Sequence, residues 1–319
     1  MKYTNGIFVL SAVLVAGAAF GAEQTGDKIR HISPELQREV AAAKYQNVRI
    51  KAFPIGSEAW TFRKFTFAET VRKLKELGVT GVEAFPGQAL GAEFPGAHFG
   101  DGMNKAQVAF VKDLLKANGV TLYGFGVVDI GRTESSMRRV FDFARKMGIR
   151  VIVCEPSDDD FTLLETLVKE YDIKIAIHNH PAPAKYHLPE TVFNHVNGKD
   201  PRIGSCADVG HWMRGMKDPC EAYRLLKGRI LDVHFKDRSD FGTKGVIDVP
   251  WGAGKARIRD LLAELTLQGY SGYLTMEYEN EAEVCNPMPV FRKSIEFVKS
   301  VTTDRTLCPG EAVCSPGHH

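Results

Sequence analysis

Residues 203–211, which read IGSCADVGH, show most clearly how this chain is built. Small and apolar residues come first, as in a short buried strand, and Asp208 and His211 follow directly. An ionisable side chain at the end of a buried strand must be paired, protonated or bound to a cation. The stretch therefore indicates a buried strand that ends in a functional site.

Short apolar or β-branched runs recur along the chain, with amphipathic helical patterns between them. The predicted strands are Val48–Phe53, Gly81–Phe85, Val120–Val128, Arg150–Glu155, Ile173–His178, Ile203–Asp208, Ile230–His234 and Tyr273–Glu277. The predicted helices are residues 70–77, 105–117, 134–147, 162–171, 220–226, 258–267 and 290–298. Four helices are followed by glycines that indicate left-handed caps, Gly78, Gly119, Gly148 and Gly269. Eight strands alternating with helices predict an α/β fold, a single-domain (β/α)₈ TIM barrel.

The two ends of the chain differ from the predicted barrel. Lys2, the apolar run of residues 7–20 and the small residues Gly21 and Ala22 predict a signal peptide over residues 1–22, and hence export to the periplasm or secretion. An uncleaved amino-terminal anchor is the alternative. Residues 23–46 are predicted to form an N-terminal extension with a helix capped by Ser33, residues 47–301 the barrel, and residues 302–319 a short C-terminal tail.

Composition argues against several classes of partner. The net charge is +2, with 44% hydrophobic and 25% charged residues, so the chain has no basic footprint for nucleic acid. No later apolar segment reaches the ~20 residues of a spanning helix, so no membrane contact is expected after signal cleavage. In an oxidising compartment Cys308 and Cys314 are the best candidate pair, whereas Cys154 and Cys206 lie in apolar runs and are expected to be buried rather than reactive.

Polar residues stand at the ends of the last five predicted strands. They are Glu155; His178, Asn179 and His180; Asp208 and His211; His234, Lys236 and Asp237; and Glu277 and Glu279. In a (β/α)₈ barrel these strand ends converge on the carboxyl face, where active sites lie. Mixed carboxylate and imidazole ligands suit one divalent ion of Mn, Zn, Co or Fe better than Ca, and a carboxylate-rich set also admits Mg.

Four of these strand-end motifs, in this order, resemble the xylose isomerase-like superfamily, whose members are often called sugar phosphate isomerases/epimerases. The motifs are Ile177-His178-Asn179-His180, Ala207-Asp208-Val209-Gly210-His211, Val233-His234-Phe235-Lys236-Asp237 and Met276-Glu277-Tyr278-Glu279. The resemblance implies a TIM barrel with one divalent metal, held in the family by Glu, Asp, His and Glu on strands five to eight. Carried over by motif, the ligands are His178, Asp208, His234 and Glu277. The chain departs from the pattern at His178, where the family usually has Glu, so either His178 or the neighbouring Glu155 fills that position.

The resemblance also implies the chemistry. In the superfamily's isomerases and epimerases, the metal polarises a sugar carbonyl and a carboxylate removes the proton on the adjacent carbon. Glu155 and Glu277 are the candidate bases, and His180 is expected near the substrate. His211 and Lys236 are candidate partners for the carbonyl or hydroxyl oxygens, and Glu83 is a candidate contact for a distal hydroxyl.

The leading functional hypothesis is a metal-dependent isomerase or epimerase acting on a free sugar or keto-sugar. A lyase that removes the aglycone of a 3-keto-glycoside by β-elimination is a close alternative, and export favours it. A third possibility is a catalytically inactive exported sugar-binding barrel, for which the substitution at His178 is the best argument. Apurinic endonuclease activity is opposed by export and by the near-neutral charge. The expected partner is a small carbohydrate, and the sequence leaves homo-oligomerisation open.

Several residues have a structural explanation as well. Lys236 and Asp237 could form an ion pair at the strand end, and Glu279 could be a solvated loop residue. An apolar wall for a sugar ring could come from Trp60, Phe85, Phe125 and Trp251, although aromatic residues at barrel ends more often belong to the core. The glycine pairs at residues 124–126 and 252–254 lack the context of a dinucleotide-binding loop.

Overall fold

The computed structural model describes residues 45–302. The chain divides into two compact units, residues 1–48 and residues 49–319, and of the first unit only residues 45–48 are described. The predicted signal peptide, the helix capped by Ser33 and the Cys308–Cys314 pair lie outside the described residues. All of the elements below belong to the second unit.

A parallel sheet closes into the predicted barrel. The strands are β1 (Ile55–Glu58), β2 (Gly81–Ala84), β3 (Thr121–Phe125), β4 (Val151–Cys154), β5 (Lys174–His178), β6 (Ile203–Cys206), β7 (Ile230–Asp232), β8 (His234–Phe235), β9 (Asp237–Arg238), β10 (Asp248–Val249) and β11 (Leu274–Met276). Pairing runs in order from β1 to β7, and in the other direction from β1 through β11 to β8. Only Val233 separates β7 from β8, so the two segments act as one barrel strand. This strand pairs with β6 on one side and with β11 on the other, which closes the barrel. The antiparallel pair β9–β10 lies outside this sheet.

Helices cover the outside of the barrel. They are α1 (Phe67–Leu77), α2 (Lys105–Asn118), α3 (Glu134–Met147), α4 (Phe161–Tyr171), α5 (Pro189–Val196), α6 (Val209–Arg214), α7 (Pro219–Leu225), α8 (Ile258–Gln268) and α9 (Met288–Val301), with short 3₁₀ turns at Ala59–Phe62 and Asp158–Asp160. The four glycines predicted as caps adopt left-handed φ angles between 65° and 81° directly after α1, α2, α3 and α8. The single-domain TIM-barrel prediction is therefore confirmed for the described part of the chain.

Two helices were missed by the sequence patterns, and each carries a local signal. Pro189 occupies the first turn of α5, where its missing N–H costs nothing. Asp208 caps α6 by accepting a hydrogen bond from the backbone N–H of His211 at 2.7 Å. The strand-end aspartate of the first motif thus also starts a helix.

The first strand was predicted in the wrong place. Residues 48–53 were expected to form it, whereas β1 is Ile55–Glu58, after Pro54. The run IGSE has only one large apolar side chain, Ile55, so it lacks the apolar pattern on which the prediction depended. A Cβ on Gly56 would lie 2.6 Å from the Tyr123 hydroxyl, so glycine is needed for the ring to fit.

The buried residues of the barrel include both apolar and polar side chains. Phe67, Phe99 and Phe143 pack between barrel and helices, whereas Ser57, Glu58, Glu83, Asp232 and Thr275 are buried polar residues of the strands. Cys154, Cys206 and Cys220 are buried and free, and burial raises the pKa of each thiol, which opposes a thiol nucleophile. Within residues 45–302, no helix is both long and apolar enough to cross a bilayer.

Candidate metal centre and active site

Four side chains meet at the carboxyl end of the barrel. His178 ends β5, Asp208 follows β6, His234 begins β8 and Glu277 follows β11. All four are buried, with exposures between 0 and 6%, and one donor atom from each lies within 4.8 Å of the others. We call these residues the donor cluster. The structure thus brings together the four residues that the resemblance implied as ligands.

The donor atoms of these four residues lie close together but form no hydrogen bonds of acceptable geometry with one another. His234 Nδ1 lies 2.8 Å from Glu277 Oε2 and 3.7 Å from Asp208 Oδ2, and His178 Nε2 lies 3.5 Å from Asp208 Oδ2. Yet these four buried atoms have no hydrogen-bond partner of acceptable geometry among the described residues. Unpartnered buried polar atoms are costly, so their convergence fits a shared cation. Two imidazoles and two carboxylates form a donor set that can hold a divalent transition metal.

The strand-five position is occupied by His178 rather than Glu155. His178 Nε2 faces Asp208, while its Nδ1 lies 3.3 Å from His180 Nδ1 and 3.7 Å from Glu155 Oε1. Glu155 Oε1 also pairs with His180 Nδ1. Partial burial raises the pKa of Glu155, but hydrogen bonds with His178 and His180 outweigh it and hold the value at about 2. Glu155 is therefore an ionised partner of two histidines, outside the donor cluster.

Lys236 lies fully buried among carboxylates. Its Nζ donates to Glu279 Oε2 at 2.8 Å and lies 3.0 Å from Asp208 Oδ2 and 3.1 Å from Glu277 Oε2. Burial lowers the pKa of Lys236, but the surrounding carboxylates Asp208, Glu277 and Glu279 outweigh it and raise the pKa overall, so the ammonium stays charged. The suggestion of a solvated Glu279 is wrong, since this carboxylate binds both Lys236 and Arg214 at 2.8 Å.

The suggested pair of Lys236 and Asp237 is also wrong. Asp237 turns away and accepts hydrogen bonds from the backbone N–H groups of Gly252, Gly254 and Ala256 at 2.9 to 3.0 Å. Adjacent strand residues point in opposite directions, which explains why Lys236 enters the site and Asp237 does not. Asp237 therefore organises the loop between β10 and α8.

The neighbours of His211 favour a neutral ring with its hydrogen on Nε2. Arg214, which sequence reasoning missed, contacts His211 Nδ1 through its guanidinium at 2.8 Å. An arginine offers only N–H groups, so Nδ1 must accept and the ring hydrogen lies on Nε2, 3.7 Å from Asp208 Oδ2. Burial lowers the pKa of His211 well below its ordinary value. The signal was the spacing of three residues, which places both side chains on one face of α6.

Three further carboxyl groups are buried close to the donor cluster: Glu58, Glu83 and Asp232, which we call the carboxyl layer. Glu83 Oε1 accepts a hydrogen bond from His234 Nε2 at 3.2 Å, so Glu83 does not face a distal substrate hydroxyl as expected. Burial, reinforced by the nearby charge of Glu83, raises the pKa of Glu58 and of Asp232 well above the ordinary range. Burial therefore favours the neutral form of both acids.

The opening of the site is charged on one side and aromatic on the other. His180 and Glu155 are partly exposed, with 44% and 25% of their side chains accessible. Trp60 is 41% exposed and meets Phe85 edge to face, with ring centroids 5.1 Å apart. Phe125 and Trp251 are buried in the core, so only Trp60 and Phe85 remain from the predicted aromatic wall.

Comparison with known proteins agrees with this architecture. Residues 71–301 match the family model described as xylose isomerase-like TIM barrel. Among curated proteins, the inosose dehydratase of Mesomycoplasma hyopneumoniae is 21% identical over 314 residues, covering 81% of this chain and 97% of that one. A crystal structure of an uncharacterized protein from Parabacteroides distasonis is 32% identical, with a TM-score of 0.64, and covers 78% of this chain and 99% of that one. The structure of the IOLI protein with a zinc atom has a TM-score of 0.61 at 14% identity, covering 79% and 98% of the two chains.

Proposed function

The chain belongs to the xylose isomerase-like TIM-barrel family, and from that premise we propose that it is a metal-dependent lyase acting on a keto-sugar. It would remove the proton beside the carbonyl and expel the substituent on the next carbon. The family's enzymes act on small carbohydrates. The observation that carries the proposal is the donor cluster, in which four buried donor atoms converge without a hydrogen-bond partner of acceptable geometry among the described residues.

Two considerations favour elimination over the isomerase or epimerase reaction that the sequence ranked first. The curated relative from Mesomycoplasma hyopneumoniae is named inosose dehydratase, as are other curated relatives, and a dehydratase eliminates water. In addition, the family's strand-five carboxylate is replaced by His178. Epimerisation must return a proton to the opposite face of the carbon, which calls for a second base, whereas elimination needs one base and a protonated leaving group.

The residues around the cluster can take complementary roles. A metal ion in the cluster would polarise the substrate carbonyl. His180, bound through Nδ1 to Glu155, offers Nε2 as the base that takes the proton from carbon. The C–H electron pair forms the new double bond, the bond to the leaving oxygen breaks, and His180 gives its proton to that oxygen. The Nε2–H of His211 and the Lys236 ammonium stabilise negative charge that grows on the carbonyl oxygen.

Isomerisation or epimerisation remains the second candidate because it shares the first step. Its support is that Glu277 and the Glu155–His180 pair come from strands on different sides of the cluster, so two groups could handle protons. The two reactions differ in their products. Elimination releases water or an aglycone, whereas epimerisation retains every atom except the exchanged hydrogen.

A single experiment separates the candidates. The metal-loaded protein is incubated in D₂O with 2-keto-myo-inositol and with an aryl 3-keto-glucoside, and the products are followed by NMR and ultraviolet absorption. Loss of the leaving group with a new enone absorption supports the lyase, and deuterium incorporation without loss supports the epimerase. Binding without exchange would overturn both and favour a sugar-binding protein.

The choice of metal and the compartment depend on separate observations. The zinc in the IOLI neighbour supports zinc as the first ion to test, followed by Mn, Co, Fe and Mg. Export depends on residues 1–22 alone and stays a prediction, which amino-terminal sequencing of the mature protein would check.

A further inference from the structure

His234 is held from both sides of its ring. Nδ1 lies in the donor cluster, 2.8 Å from Glu277 Oε2, and has no hydrogen-bond partner. Nε2 instead bonds to Glu83 Oε1 at 3.2 Å. Glu83 comes from β2, and both side chains are almost fully buried.

We infer that Glu83 is the positioning residue that makes Nδ1 of His234 the metal-binding atom. A neutral imidazole carries one N–H, and a carboxylate accepts that hydrogen. The bond to Glu83 therefore places the hydrogen on Nε2 and leaves the lone pair of Nδ1 directed into the donor cluster. The inference rests on the metal site of the proposed function but not on the reaction catalysed there.

The place of Glu83 is fixed by a glycine on the next strand. A Cβ on Gly124 in β3 would lie 2.9 Å from Glu83 Cγ and 3.0 Å from its Oε2. Real Cβ atoms do not approach so closely, so a side chain at residue 124 would have to displace the glutamate. Gly124→Ala thus moves the carboxylate of Glu83 without removing it.

The competing explanation is that Glu83 and His234 only stabilise the barrel. Glu58 provides a matched control, because it is the same residue type, is equally buried and lies on the adjacent strand. A Glu58 oxygen lies within 4.8 Å of donor atoms of Glu83 and His234, yet Glu58 accepts its hydrogen bond from the backbone N–H of Trp60. Loss of Glu58 should therefore affect stability without changing the tautomer of His234.

The test is a Co²⁺ titration of the chelator-treated full-length protein, with the visible absorption spectrum and the Tm recorded for each variant. Glu83→Ala should weaken Co²⁺ binding by about 10–100-fold, the usual effect of losing a carboxylate behind a ligating histidine, and should alter the spectrum. Glu83→Gln retains an acceptor for Nε2–H and should stay close to the wild type. Gly124→Ala should behave like Glu83→Ala, and Glu58→Ala should lower only the Tm.

Unchanged Co²⁺ affinity and spectrum in Glu83→Ala would overturn the inference, and so would an equal loss of affinity in Glu58→Ala. If Glu83→Ala does not fold, Glu83→Gln and Gly124→Ala still decide, because the inference requires the first to bind and the second to bind weakly. A wild type that takes up no Co²⁺ would overturn the metal site and the inference together. A wild type that binds Co²⁺ but leaves keto-sugars unchanged would overturn the proposed function alone.

Discussion

The donor cluster and the carboxyl layer contain similar residues, but the neighbours of their carboxyl groups differ. Both contain buried carboxyl groups and both contact His234. In the donor cluster, burial raises the pKa of Asp208, but its contacts with neighbouring histidines and with the Lys236 ammonium outweigh burial and lower the pKa well below its ordinary value. In the carboxyl layer, burial and the nearby charge of Glu83 raise the pKa of Glu58 and Asp232. Burial also raises the pKa of Glu83, but the contact with His234 outweighs it and lowers the pKa overall. The difference teaches that the neighbours of a buried acid, more than its burial, decide whether it can hold a cation.

The largest effect is expected from the removal of Asp208, a donor-cluster carboxylate that lies close to His178, His234 and Lys236. Asp208→Ala should reduce the metal content from about one ion per chain to none and abolish turnover, because three donors are left around an incomplete site. Metal is measured by mass spectrometry on protein purified without chelator. Asp208→Asn is the control, since an amide oxygen can still cap α6 but carries no charge. If the Asp208→Ala protein still contains its metal, Asp208 is not a metal ligand.

A second prediction separates proton transfer from metal binding. His180→Ala should lower kcat by ~10²–10⁴, the range for losing a general base, while the metal content stays unchanged. Glu155→Gln should have a smaller effect in the same direction, because the amide still contacts His180 but carries no charge. Steady-state kinetics with each loaded variant gives the comparison. An unchanged kcat in His180→Ala would transfer the role of base to Glu277.

A third prediction concerns a carboxylate that serves the fold alone. Asp237→Ala leaves several loop N–H groups without an acceptor, and should lower the free energy of unfolding by roughly 1–3 kcal/mol. Denaturant unfolding measures this value, and metal titration below the transition is the control. Because Asp237 points away from the donor cluster, metal affinity should be unchanged. A loss of affinity larger than the loss of stability would show that the loop takes part in the site.

Much of the site was predictable, because ligand side chains at strand ends leave a repeated mark in the sequence. Asp208, His234 and Glu277 each follow or end an apolar run, and the barrel topology alone brings them together. Two members of the carboxyl layer, Glu58 and Asp232, left no such mark. Glu58 lies in β1, whose polar run IGSE was passed over in favour of residues 48–53, and Asp232 sits within an apolar run.

Contacts between distant side chains could not be predicted in the same way. Lys236 and Asp237 are adjacent in sequence, and only the alternation of strand residues separates their roles. Arg214 was missed because the six-residue helix α6 is too short to show an apolar period. The place of Glu83 behind His234 depends on the space that Gly124 leaves, which no local pattern encodes.

The smallest predicted effect concerns Trp60, on the aromatic side of the opening of the site, opposite the charged side formed by Glu155 and His180. Thr61 Oγ1 accepts from the backbone N–H of Tyr278 at 3.0 Å, which ties the turn that carries Trp60 to the residue after Glu277. Trp60→Ala should therefore raise KM for a keto-glycoside with an aryl aglycone by about 5–10-fold, equivalent to ~1–1.5 kcal/mol of lost ring contact, with little change in kcat. Trp60→Phe keeps an aromatic ring, so its KM should lie between the values of the wild type and of Trp60→Ala. The same KM increase for 2-keto-myo-inositol, which has no aglycone, would show that Trp60 contacts the reacting ring itself.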